Sequence, residues 1–238
     1  MAEVKTYCFL HVYYEELVEE TMGYVNNIPN LNKIFVNIPD VSEDNEDDIA
    51  TKESVSKFIL EGVESQFYNF KNTGRDVGAF FRLTQETVEQ IQPEDIVYCI
   101  HTKACQLHEL GDKWRKDLLE PILKDQETAS SVLELLLNGE ADYVASNRKT
   151  FDLYWPNESN YHQLCDRLKI NINHRLKDFT AGTIFALRYK YLNELYGKIT
   201  EDDFSDLDNH RADGLMTHAI ERLFTTVVRS MDGKIKYV

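Results

Sequence analysis

Short runs of β-branched and aromatic residues alternate along this chain with stretches whose apolar residues recur at helical spacing. That alternation restricts the fold more than any other feature. Strands joined through helical crossovers run parallel and bury both faces. The strand-like runs cover residues 7–12, 33–38, 65–70, 95–100, 141–145 and 182–187. The helical ones cover 15–25, 52–60, 77–91, 114–123, 129–137 and 213–228. This pattern predicts an α/β fold with a mainly parallel central sheet flanked by helices. The acidic stretches 41–49 and 201–211 read as solvated loops, and 157–173 reads as polar and irregular. No internal repeat and no Pro/Ser/Gly-rich linker divides residues 1–238, so they read as a single domain.

Composition narrows the function classes. The 238 residues carry 26 Lys+Arg against 41 Asp+Glu, a formal net charge of −15. Such a surface excludes sequence-independent nucleic-acid binding, which needs a basic face, and anionic membranes should repel it. The N-terminal Met1-Ala2-Glu3-Val4-Lys5 lacks the pattern of a secretory signal, and no run of apolar residues is long enough to span a bilayer. A cytoplasmic location is therefore expected. Cys8, Cys99, Cys105 and Cys165 then read as reduced thiols, with Cys8 and Cys99 inside apolar runs. Their spacing does not suit a zinc site, and no metal ligands are assigned.

Ligands of open α/β sheets bind outside the carboxyl ends of the strands, so residues that directly follow strands carry the functional reading. The segment Asn72-Thr73-Gly74-Arg75-Asp76 follows the third strand and opens a helix. Gly74 suits a turn with positive φ, and the helix N-terminus beyond it offers N–H groups to an anion beside the Arg75 fork. A plain turn with Arg75 and Asp76 paired at the surface fits the same residues. His101-Thr102-Lys103 follows the fourth strand, where Lys103 could hold a diphosphate with His101 as second donor. A solvated turn is the alternative. Trp114 and Arg115 open the next helix, and Trp114 fits either a core anchor or a stacking platform. In the last helical segment Asp213, Thr217 and Glu221 recur every fourth residue and share a face, with His218 one position off. Asp213 at the helix start also suits a cap.

The blocks Asn72-Thr73-Gly74-Arg75-Asp76-Val77, Ile100-His101-Thr102-Lys103, Trp114-Arg115 with Leu118-Leu119, Ala181-Gly182-Thr183-Ile184-Phe185, and Asp213-Gly214 with the His218-to-Phe224 run resemble the rhamnan synthesis protein F family of bacterial polysaccharide glycosyltransferases. The resemblance implies a GT-A-like (Rossmann-like) domain that moves a sugar, rhamnose by the family name, from a nucleotide-sugar donor to a cell-surface polysaccharide or lipid-linked glycan with inversion. It implies Asp213 as the base, with Glu221 as second choice and His218 beside it. Asn72, Gly74, Arg75 and Asp76 would line the donor site, with Trp114 and Arg115 among the substrate contacts. His101, Thr102 and Lys103 would hold the leaving diphosphate, and Ala181, Gly182 and Thr183 would shape the acceptor side. The chain departs from the more distant family 2 of inverting glycosyltransferases. There an Asp-x-Asp pair holds a divalent cation; here His101-Thr102-Lys103 stands in its place, which points to a metal-independent reaction while leaving Mg²⁺ or Mn²⁺ open. Partners implied are the donor, a glycan or lipid-linked acceptor, and other polysaccharide-assembly enzymes at the inner membrane face. The rival readings are a non-catalytic nucleotide-sugar or carbohydrate-binding module, a metal-dependent hydrolase built on Asp213, His218 and Glu221, and a structural partner protein.

Overall fold

The computed structural model describes residues 3–40, 46–104, 108–148, 150–151, 156–171, 178–204 and 214–238. Strands β1 (Thr6–His11), β2 (Leu31–Asn37), β3 (Glu64–Tyr68) and β4 (Ile96–His101) are joined by helices α1 (Val18–Val25), α2 (Glu46–Phe58) and α3 (Arg75–Thr87). Then follow α4 (His108–Leu123), α5 (Gln126–Leu137), β5 (Tyr143–Ala145), β6 (Thr150–Phe151) and α6 (Glu158–Arg167). The chain ends with β7 (Phe179–Thr180), β8 (Phe185–Arg188), α7 (Tyr189–Tyr196), α8 (Met216–Ser230) and β9 (Ile235–Tyr237).

Among the described residues the main sheet has seven strands in the order β3-β2-β1-β4-β8-β5-β9, and β6 pairs with β7 apart from it. Pairings within β3-β2-β1-β4 are all parallel, and β5 pairs with β9 in the same sense. The sheet is thus mainly parallel, with one reversal: β8 runs antiparallel to both β4 and β5. Side chains alternate across the sheet as the pleat requires. On β1, Tyr7 and Phe9 enter a core layer with α3, α6, α7 and α8, while Cys8 and Leu10 enter the opposite layer with α1, α4 and α5. Both layers are closed to water, so continuous apolar strands are stable here.

The expected strands and helices are present, with ends moved by up to six residues: α4 begins at His108, so Trp114 and Arg115 lie in its second turn and do not open it. The segment expected to be irregular at 157–173 instead holds α6. Its apolar positions Tyr161, Leu164, Cys165 and Leu168 are all buried, and the Tyr161 hydroxyl lies 2.8 Å from Thr226 Oγ1 of α8. Those positions follow helical spacing, but the surrounding polar residues masked the stripe. Helix α2 begins at Glu46, inside the acidic stretch expected to be loop. Cys8, Cys99 and Cys165 are buried, and Cys105 lies outside the described residues. Among the described residues no helix is long and apolar enough to cross a membrane.

Two buried polar devices fix the reversed strand. Pro121 within α4 has no N–H to give the carbonyl four residues back, and that carbonyl, Asp117 O, accepts instead from Ser146 Oγ at 2.5 Å. Arg188 ends β8 with its guanidinium distributed over Asp142 Oδ1 (3.1 Å), Glu94 O (3.2 Å) and Leu136 O. The second Asp142 oxygen accepts from Lys234 N, which leads into β9. Arg188→Ala leaves the partly buried Asp142 carboxylate without its cation and the Leu136 carbonyl without that donor, so urea unfolding should show a loss of about 2 kcal/mol. Arg188→Lys should recover less than half of it, because one ammonium cannot reach three acceptors arranged for a planar fork.

Candidate functional site

The register brings distant segments to one edge of the sheet. Strand order reverses between β1 and β4, so their carboxyl ends, His11 and His101, stand side by side at the switch point. Because β8 is antiparallel and pairs Phe185 with Cys99, the residues before Phe185 lie beside the end of β4. Gly182 and Thr183 are thereby set against His101. The turn 71–74 before α3 and the second turn of α8 close over the same edge.

The turn at Gly182-Thr183 is unusual. Gly182 has φ +112° and Thr183 has φ +54°, a conformation that a β-branched residue adopts only when its surroundings impose it. Glu221 imposes it: its Oε1 accepts from Gly182 N at 2.7 Å and from Thr183 Oγ1 at 3.3 Å. On the other side of the peptide, Gly182 O lies 2.7 Å from His101 Nε2. A carbonyl can only accept, so this imidazole nitrogen carries the proton. The same nitrogen lies 3.7 Å from Asp76 Oδ2. A Cβ on Gly182 would stand 2.5 Å from Leu118 Cδ1 and 3.2 Å from Lys103 Cε, so only glycine lets this turn pack on the lysine stem.

Lys103 projects its ammonium over the Trp114 ring, 4.1 Å from the centroid. It is near enough to Asp76 and Glu221 to favour the charged form of both. The two carboxylates nevertheless titrate in opposite directions. Burial raises Glu221, and the neighbouring Asp76 charge adds to this against the Gly182 N–H, Lys103 and Arg222. Burial works on Asp76 the same way, yet His101, Lys103, the Thr183 hydroxyl and His11 together hold it below the usual carboxylate range. Burial also lowers His101, against the pull of Asp76. The site therefore holds an ionised aspartate, a glutamate with enhanced basicity and one ammonium within a single cluster.

Several residues expected to touch substrate have other partners. Thr102 Oγ1 accepts from Tyr13 N and Tyr14 N, both at 2.9 Å, and so ties the β1–α1 loop to the end of β4. Arg115 is buried and ion-paired to Glu20 and Asp112. Gly74, at φ +79°, packs so closely on Phe204 that a Cβ would lie 2.3 Å from its ring. Asn72 and Arg75 flank that turn, and Arg75 enters α3 with φ +52°. His218 Nδ1 accepts from Leu215 N at 3.3 Å and caps α8, rather than joining the carboxylate cluster through that nitrogen. Ala181 is half-buried at the entrance to the turn. Asp213 lies outside the described residues.

Sequence reasoning missed His11 and Asn37. Asn37 Oδ1 accepts from Phe70 N at 3.1 Å, so its amide nitrogen faces His11 Nδ1 at 3.0 Å and donates to it. The signal was available: each is a polar residue that directly follows an apolar run, Tyr7 to Leu10 for His11 and Ile34 to Val36 for Asn37. Among the described residues no three His, Cys, Asp or Glu side chains are grouped to hold a metal ion. After β4 stand an imidazole N–H committed to a carbonyl and an ammonium on an aromatic ring, donors that do not fit a hard divalent cation.

Burial drives His11 down to about 4, with the nearby His101 adding to the fall and Asp76 opposing it. As pH drops from the unfolded-state value near 6.5, the unfolded chain takes up the proton first. The stability His11 contributes is complete above that pH and is lost as pH falls toward 4. Urea titrations should show wild type losing about 3 kcal/mol more over this window than His11→Gln, whose amide oxygen can still accept from Asn37. Equal pH profiles would refute the assignment.

Among curated proteins, the chain is 22% identical over 235 residues to the Xanthomonas campestris pv. campestris protein named "Uncharacterized protein WxcX". That match takes in 96% of this chain but 32% of the relative, so the chain spans about a third of that protein's length. The profile of a second comparison, "Rhamnan synthesis protein F", matches residues 2–232, which take in every segment that forms the site. On that coverage the chain belongs to the rhamnan synthesis protein F family.

Proposed function

We propose that this chain is a GT-A-like glycosyltransferase domain. It transfers a sugar, rhamnose by the family's name, from a nucleoside-diphosphate donor to a polysaccharide or lipid-linked acceptor with inversion and without a metal ion. The strand order with its single reversed strand supports the fold reading, and family membership supports a role in polysaccharide synthesis. The observation that carries the chemistry is the opposite titration of Asp76 and Glu221 around Lys103 at the switch point. When neighbouring carboxylates have their pKa values pushed apart, their roles divide.

Glu221 accepts the proton of the acceptor hydroxyl as its oxygen attacks the anomeric carbon. The bond from that carbon to the diphosphate oxygen breaks on the opposite face, and the electron pair leaves with the nucleoside diphosphate. Lys103 balances the charge developing there, the task a cation performs elsewhere. Asp76 remains ionised beside the Lys103 ammonium. Glu221, the second of the two carboxylates named from the sequence, is assigned as the base because it is buried in the cluster beside Asp76 and Lys103 with its basicity raised. One observation favours a non-catalytic module instead: the His101 N–H is already given to the Gly182 carbonyl, so a donor expected to hold the leaving diphosphate is taken by the protein.

A panel of nucleotide sugars, scored by thermal shift and by nucleoside-diphosphate release in Mn²⁺ and in chelator, separates these readings. One donor should stabilise the fold and be turned over equally in chelator. Lys103→Ala and Glu221→Gln should each cut turnover by about 100-fold or more. Glu221→Gln should keep or raise the melting temperature at neutral pH, since burial already disfavours the charged form. The rate should rise with pH through a value above that of an ordinary glutamate. Binding without turnover, with acceptors present, favours the binding module, and no shift with any donor refutes the nucleotide-sugar reading.

A further inference from the structure

Arg115 is almost fully buried, and its guanidinium is committed throughout. Nε and one terminal nitrogen reach Glu20 Oε2 at 3.2 and 2.6 Å, and that same terminal nitrogen reaches Asp112 Oδ1 at 3.0 Å. The other terminal nitrogen donates to the main-chain carbonyl of Lys103 at 3.1 Å. The fork therefore joins three parts of the fold: α1 through Glu20, α4 through Asp112 and its own backbone, and the segment after β4 through Lys103. Adjacent Trp114 lies under the Lys103 ammonium. One side of α4 thus holds Lys103 at both ends, the carbonyl by Arg115 and the amine by the indole.

A lysine stem has four rotatable bonds and loses up to about 2 kcal/mol of side-chain entropy when fixed. Something must restrain its backbone if the ammonium is to stay over Trp114 and within electrostatic reach of Asp76 and Glu221. Thr102 fixes the preceding residue through Tyr13 and Tyr14. Arg115 supplies the restraint at Lys103 itself. We infer that Arg115 is a positioning residue, not a substrate contact: it sets the Lys103 ammonium in the site through the Lys103 carbonyl, with Glu20 orienting the guanidinium. This inference rests on the reading of Lys103 as the diphosphate-binding group, but the placement of Lys103 can be measured without any nucleotide.

Two readouts test it on the whole chain. In protein reductively methylated with ¹³C, the Lys103 dimethylamine resonance, assigned by its loss in Lys103→Arg, should lie upfield because the indole face shields it. Arg115→Gln should move that resonance toward the position of exposed lysines, and Glu20→Gln should move it the same way by less. Titration with UDP, GDP and dTDP should show the affinity for the preferred diphosphate falling at least tenfold in Arg115→Gln. The loss should be non-additive with that of Lys103→Ala, as two residues acting through one group require. Additive losses would make Arg115 an independent contact and overturn the inference. So would an unmoved Lys103 resonance in folded Arg115→Gln, or in Glu20→Gln should the first variant fail to fold. If the wild type binds none of the diphosphates, the nucleotide-sugar reading falls, and the resonance alone decides whether Arg115 positions Lys103.

Discussion

The pairing of β8 against β4 in the reverse direction is the constraint on which the site depends. Had β8 entered the sheet parallel, its amino-terminal end would lie at the opposite edge, away from His101 and Lys103. Reversal instead delivers Gly182 and Thr183 to the carboxyl ends of β1 and β4. The sheet gains no ligand-binding residue from β8 proper, whose four residues are all buried. What it gains is the turn before it, held in a left-handed conformation by a carboxylate from α8. Holding Thr183 there costs about 1–3 kcal/mol, and Glu221 offsets that cost with two hydrogen bonds to the turn. Fold and site thus share an interaction: the glutamate that shapes the turn is itself brought into the cluster by it.

The cluster is also balanced electrostatically. Two carboxylates desolvated together repel, and each would be driven toward its neutral form if no cation stood near. Lys103 relieves both, while the two imidazoles act on Asp76 and not on Glu221. The asymmetry arises from topology. Asp76 opens α3 and faces the histidines that end β1 and β4, whereas Glu221 approaches from α8, where its near neighbour is Arg222 at 3.7 Å. One carboxylate therefore stays charged and the other gains basicity without any difference in side-chain chemistry.

Much of this was legible in the sequence because it depends on local pattern. The alternation of strand and helix gives the layered fold, and the rule that polar residues after strands face a ligand selected Asp76, His101 and Lys103. Gly74 was readable as a positive-φ turn residue. The unreadable parts depend on pairing between distant segments. Nothing in the 182–187 run states that it lies antiparallel, since an apolar strand reads the same in both directions. Arg115 resembles a ligand fork in the sequence, because the choice between a phosphate and the pair Glu20 and Asp112 is made by the packing of α1 on α4. The stripe Tyr161, Leu164, Cys165 and Leu168 was readable but was outweighed by its polar neighbours. Helix α6 shows that periodicity is the better guide when it conflicts with mean polarity.

The role proposed for Lys103 makes a demand on placement that a metal ion would not. A cation held by carboxylates can be positioned from several directions, because its ligands share the work of placing it. An ammonium has one flexible stem, and its place is set by what touches that stem. The surrounding residues match this need: Gly182 leaves room along the stem, Trp114 supports the head, and Arg115 and Thr102 fix the main chain on either side of the carbonyl. Each is separately a small-residue turn, a core aromatic, a buried ion pair or a loop tie, and each has a structural explanation alone. Their common target is one lysine, and that convergence is what four unrelated structural roles would not produce.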